Sequence, residues 1–173
     1  MFKQWMLWGV LVLPVSVAGG GQAVVAEPSA LPPIDPPGVW HALTQDDATT
    51  ESKCIGNPVT PLCAVETVIA CFVRGSDELC RIGKGLDRPP GLFRGRPGIG
   101  VWERYRVAVA KRINPKKQPF LNEEPTKAGD VSLGIQSLFC QKVCETPDGP
   151  PTTYLIRPMD GRWVVLTWET PRW

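Results

Sequence analysis

The 173-residue chain predicts an α+β domain, with two or three N-terminal helices packed on a curved four-stranded antiparallel meander. Three observations lead there. Helix-capping residues cluster around Thr60 and Ser76, apolar residues alternate with period 2 from Val101 onward, and Asp160-Gly161 joins two such runs as a tight hairpin turn. The composition agrees: 43% hydrophobic and 21% charged residues, with Lys+Arg 19 against Asp+Glu 17, exclude both a disordered tail and a bundle of membrane spans. A single His excludes His-pair or His-rich metal chemistry within one chain. No motif points to a cofactor or a metal, and none is expected.

In chain order, residues 1–26 read as a secretory signal peptide: Lys3, an apolar run from Trp5 to Val17, then small residues ending at Val24-Val25-Ala26. The run is shorter than a membrane-spanning helix needs, and Pro14 and Gly19 to Gly21 interrupt it. Cleavage near Ala26 is expected to leave no transmembrane segment, in the periplasm or outside the cell. Pro28, Pro32, Pro33, Pro36 and Pro37 then occupy a stretch that holds neither a helix nor a sheet ladder. Residues 27–57 are therefore expected as a Pro-rich extended tether before one α+β domain, residues 58–173. His41 lies in that tether and is expected at the surface.

Thr60 is suited to an N-cap and Pro61 to the first helical position, so a helix is expected from Pro61 to about Arg74, ended by Gly75. Ser76 caps a second, whose first turn carries Asp77 and Glu78 at the positive end of the helix dipole. In an exported chain the even cysteine count implies disulfides. Cys71 and Cys80 sit on consecutive helices across a tight turn and are expected to bond, leaving Cys54 with Cys63 to clip the end of the tether onto the first helix. Cys140 and Cys144 are too far apart on a straight strand, so they pair only if the chain bends near Lys142. A redox-active or metal-binding role for that pair lacks further ligands and the Cys-x-x-Cys spacing.

From Val101 to Ile113 the alternation places Val101, Tyr105, Val107, Val109 and Ile113 on one side and Trp102, Arg104, Arg106 and Arg112 on the other. Val131, Leu133, Ile135 and Phe139 form a second run; Asp148 to Pro151 turn the chain into Thr153 to Arg157; and Asp160-Gly161 leads to Trp163 to Trp168, with Trp163 and Trp168 on opposite faces.

Thr60-Pro61 opening a helix, the turn Cys71 to Asp77 and the hairpin from Tyr154 to Trp163 resemble the nuclear transport factor two-like superfamily, also called SnoaL-like or cystatin-like, over residues of about 58 to 170. The resemblance implies a curved sheet wrapped around helices into a cone whose open end holds a ligand or an active site; it does not imply catalysis. In ketosteroid-isomerase-like members an acidic base works with a Tyr and a protonated acid. By residue type the corresponding candidates are Glu103, Tyr105 and Asp130, with Glu103 and Tyr105 two apart on one sheet face and Asp130 opening the next strand. The plainer reading is an acid paired with neighbouring arginines and a Tyr packed in the core. No motif of the enzyme members matches position by position, so no catalytic residue is assigned.

Charge is the most uneven feature. Between Arg81 and Lys117 there are 11 Lys or Arg against Asp87 and Glu103, a stretch suited to an anionic or protein partner. The competing reading is a solvated strand face bridged to Asp46, Asp47 and Glu51. Trp102, Arg104, Arg106 and Arg112 are the candidate binding residues; nucleic acid is not expected as a partner outside the cytoplasm, and there is no stacking platform beyond Trp102. The expected role is a disulfide-stabilised binding or adaptor module of the bacterial envelope, with a small-ligand carrier or an enzyme using the cone interior as the alternative.

Overall fold

The computed structural model describes residues 30–84, 102–144 and 149–169. The expected signal segment, Asp87, Val101, Asp148 and, of the basic stretch, Arg88, Arg94 and Arg96 lie outside them. In chain order the elements are β1 (His41–Leu43), α1 (Pro61–Arg74), α2 (Asp77–Gly83), β2 (Trp102–Arg112), β3 (Phe120–Leu121), β4 (Glu124–Pro125), β5 (Val131–Cys140), β6 (Thr152–Met159) and β7 (Arg162–Glu169). The five longer-range strands form one antiparallel sheet in the order β1-β2-β5-β6-β7, and β3 and β4 make a separate two-stranded ribbon.

The α+β architecture is as expected, with two corrections. The sheet has five strands instead of four, the extra one coming from the segment expected as a tether: His41, Ala42 and Leu43 pair with Tyr105, Arg104 and Glu103. Asp35 continues that attachment, its amide donating to the Val107 carbonyl and its carboxylate accepting from the Val107 amide. The sheet is also open and not strongly curled, so the expected cone is absent. Helix α1 lies across its face and touches all five strands.

Helix α1 begins and ends where its chemistry dictates. The Thr60 hydroxyl accepts from the Cys63 amide, Pro61 fills the first turn where its missing N–H costs nothing, and Gly75 ends the helix in the left-handed region at φ 62°. Its sequence, apolar almost throughout, matches its surroundings: 11 of its 14 residues are buried. The sheet covers one side. Helix α2 covers another at a close approach, since a Cβ on Gly83 would come within 2.7 Å of Val68 Cγ2. Val65, Val68, Ile69 and Val73 pack with Tyr105, Val107, Leu133, Ile135, Ile156, Trp163 and Val165 as the main core.

Two bulges redistribute the strand faces. On β2, Val107 opposes Ile135 but Val109 opposes Gly134, so Ala108 is an extra residue. The parity of β2 therefore reverses: Val109 is exposed, Ile113 joins Leu155 and Leu166 in a smaller cluster, and Arg112 stands opposite the core residue Val131. The expected grouping of Val109 and Ile113 with Tyr105, and of Arg112 with Arg104 and Arg106, is corrected accordingly. On β7, Leu155 opposes Thr167 and Ile156 opposes Val165, leaving Leu166 as the extra residue. Trp163 and Trp168 consequently both pack on the core side, not on opposite faces.

All three cysteine pairs are bonded: Cys54–Cys63, Cys71–Cys80 and Cys140–Cys144. The last closes because residues 141–143 turn back, bringing the two Cα atoms to 4.0 Å in an antiparallel bridge. Asp160 and Gly161 take φ of 50° and 77°, the left-handed pair that a tight hairpin requires.

At the far end of the sheet Asp130 is fully buried and held by a bidentate pair with Arg157, each bond 2.8 Å, while the Lys127 amide donates to the same carboxylate. Arg157 also donates to the Pro125 carbonyl, tying the ribbon to the sheet. Removing the guanidinium strands a buried carboxylate, so Arg157→Ala is expected to destabilise the domain by roughly 3–5 kcal/mol in chemical denaturation. A loss below about 1 kcal/mol, the range of an exposed pair, would contradict this account.

Candidate functional site

Strand β2 carries the candidate residues on two faces. Glu103, Tyr105 and Val107 point toward α1; Trp102, Arg104 and Arg106 point away from it.

On the helix side, Tyr105 is 2% exposed and its hydroxyl donates to Glu66, itself 5% exposed in the middle of α1. Ser52 donates to the other Glu66 oxygen at 2.5 Å, and Cys54 Sγ lies 3.3 Å from that oxygen. No cation pairs with Glu66 among the described residues. Burial, then the neighbouring Glu66 charge, raise the Tyr105 phenol well above its ordinary value, so it is a fixed donor. Its ring packs 5.4 Å from that of His41. His41 bridges Asp35 and Glu51, each at 3.2 Å, and so fastens the N-terminal segment to the sheet edge.

Glu103 does not join this cluster. Burial drives the Glu103 carboxyl up to about 7 against a lowering hydrogen bond with Ser137, and burial together with the Glu103 charge raises the Tyr154 phenol. Tyr154 stacks on Trp168, whose other neighbours are Phe72 and the Lys84 ammonium, 4.9 Å from the indole centroid. Burial also lowers the Lys84 pKa. Asp130 sits nine residues along the chain from Phe139, the pairing partner of Glu103, roughly 30 Å away at the usual strand rise, and is committed to Arg157. The three acid and phenol candidates thus occupy three separate environments. The carboxylate that does meet Tyr105 is Glu66, and its only sequence signal is a lone acid inside the apolar run of α1.

On the outer face, Arg106 donates to Gln136 at 2.9 Å and lies over the Trp40 ring at 5.5 Å. Arg104 stands opposite Ala42 of β1 on one side and Leu138 of β5 on the other, and no ion pair reaches it among the described residues. The acids expected to bridge this face are engaged elsewhere: Asp47 pairs with Arg74 at 2.7 Å, Glu51 pairs with His41, and Asp46 accepts from the Ala48 amide. Arg112 is set apart from Arg104 and Arg106 by the bulge at Ala108.

No protein-family model, no curated protein and no solved structure matches the chain.

Two groups on the helix side make stability depend on pH in the same direction. Glu103 binds its proton more tightly when folded, so stability falls as pH rises from 4.5 to about 7. For His41, burial disfavours the cation, but Asp35 and Glu51 outweigh it and raise its pKa, so its contribution is complete below 6.5 and is lost as pH rises through the higher folded value. Denaturation midpoints measured across pH 4.5 to 7 should fall for the native chain and flatten in Glu103→Gln; an unchanged slope in the variant would rule out Glu103 as its source.

Proposed function

We propose that this chain is an exported binding or adaptor module of the bacterial envelope, and that it engages a carboxylate-bearing protein partner through the outer face of β2. Three disulfides in an α+β domain accord with an oxidising compartment, and no helix among the described residues is long and apolar enough to cross a membrane. The observation that carries the reading is the strip Trp40, Trp102, Arg104 and Arg106. Two guanidinium groups stand on one strand face beside two indoles, while the nearby acids are paired elsewhere.

Arginine and tryptophan together are the residue types that dominate contact energetics, the first through forked hydrogen bonds to carboxylates and the second through large rigid area. Arg106 is already positioned by Gln136 and Trp40, which lowers the ordering cost of using it. The helix side offers less to a partner, since α1 lies across it and Tyr105, Glu66 and Tyr154 are buried there.

The first probe is immobilised poly-glutamate, with the oxidised protein. Retention is expected at low salt and should weaken toward physiological ionic strength. Arg104→Glu combined with Arg106→Glu should reduce binding at least about tenfold, whereas Lys116→Glu with Lys117→Glu, which makes the same charge change elsewhere, should not. Equal loss from both pairs would reduce the effect to net charge and overturn the assignment, as would salt-independent retention.

A further inference from the structure

The polar cluster under Tyr105 has a chemical property that the binding surface does not use. The Cys54–Cys63 bond lies against a buried carboxylate, with Glu66 Oε2 at 3.3 Å from Cys54 Sγ. A disulfide sulfur carries no proton, so in the oxidised protein this contact is not a hydrogen bond. On reduction the two sulfurs must part to van der Waals distance, and Cys54 gains an S–H donor beside an acceptor already oriented by Tyr105 and Ser52. Cys63 has a complementary setting. It sits in the first turn of α1, and the Thr60 hydroxyl points at its sulfur from 3.0 Å, both of which favour a thiolate there.

We propose that Cys54–Cys63 is an exchangeable disulfide, reacting with a dithiol, and that its reduced form is accommodated by the native fold. Cys54 is the sulfur attacked, being half-buried while Cys63 is 6% exposed. One thiol of the reductant gives its proton to Glu66 and bonds to Cys54 Sγ; the S–S bond breaks and Cys63 leaves with the electron pair as a thiolate at the Thr60 hydroxyl. The second thiol of the reductant then attacks its own bonded sulfur, closing the reductant's disulfide and releasing Cys54, which recovers the proton from Glu66. The second proton passes through water to Cys63. Two electrons and two protons have moved from the dithiol to the protein, and each step is reversible.

Cys71–Cys80 supplies an internal control. It closes a loop of the same sequence separation, 9 residues, so loop entropy does not distinguish the two bonds. It is buried between α1 and α2, with sulfur-bearing residues 1% and 8% exposed, and no carboxylate oxygen lies within 4.8 Å of both its sulfurs among the described residues.

The test is equilibration of the oxidised, full-length protein in graded ratios of reduced to oxidised dithiothreitol, followed by acid quench, alkylation and peptide mass spectrometry. Cys54–Cys63 is expected to be reduced at least about tenfold more readily than Cys71–Cys80, a difference of about 30 mV for a two-electron couple. Protein reduced at that bond alone should keep its native circular dichroism. Glu66→Gln replaces a charge-assisted acceptor with a neutral one, and should move the Cys54–Cys63 equilibrium at least about threefold toward that of Cys71–Cys80. Equal potentials for the two native bonds, unfolding on reduction of Cys54–Cys63, or an unshifted equilibrium in a folded Glu66→Gln would each overturn the proposal. Should Glu66→Gln not fold, the comparison of the two bonds within the native chain decides it alone.

Discussion

The burial of α1 is the constraint on which the rest of the structure depends. A helix reading Pro-Leu-Cys-Ala-Val-Glu-Thr-Val-Ile-Ala-Cys-Phe-Val-Arg has too little polar surface to face water, so it must be enclosed. The sheet encloses one side, α2 another, and the 50–58 segment a third. Each disulfide that touches α1 fixes one of these covers: Cys54–Cys63 holds the preceding segment and Cys71–Cys80 holds α2. Glu66 and Thr67, the polar residues in the middle of the helix, find partners in the same covers, Glu66 in Ser52 and Tyr105 and Thr67 in the Gly56 amide, while the Thr67 hydroxyl donates to the Cys63 carbonyl within the helix.

That arrangement separates the two faces of β2. Toward α1 the strand supplies Tyr105 and Val107 to a packed interior, and the ionisable groups there are tuned by burial. Away from α1 it supplies Trp102, Arg104 and Arg106, next to Trp40 from the N-terminal segment. In the proposed function electrostatic attraction falls to the second face, where guanidinium groups have water and counter-ions to exchange for a partner's carboxylates. Sulfur chemistry belongs to the first, where a carboxylate beside a disulfide lies in a low-dielectric setting that strengthens whatever hydrogen bond it makes.

Much of this was legible in the sequence because it rests on local chemistry. Thr60-Pro61 and Ser76 mark helix starts through side-chain oxygens and a missing amide, and Asp160-Gly161 marks a hairpin through two left-handed backbone positions. The clip between Cys71 and Cys80 follows from two helices joined by a tight turn. The parts that escaped are those set by long-range pairing. The bulges at Ala108 and Leu166 leave no mark in the alternation, yet each reverses the faces of everything beyond it, which misplaced Val109, Arg112, Ile113 and Trp168. β1 is three residues long in a Pro-rich segment and becomes a strand only because β2 offers an edge and Asp35 and His41 fasten it there. Glu66 escaped because its partners, Ser52 and Tyr105, are 14 and 39 residues away.

The enclosure of α1 is tested most directly by native-state hydrogen exchange on the oxidised protein, resolved by residue. The amides of Val65 to Val73 should exchange only through global unfolding, with the same free energy as the β5 core residues Leu133 and Ile135, because no cover can leave without exposing the helix. Exchange of those helix amides through a local opening of distinctly lower free energy than Leu133 would contradict the account.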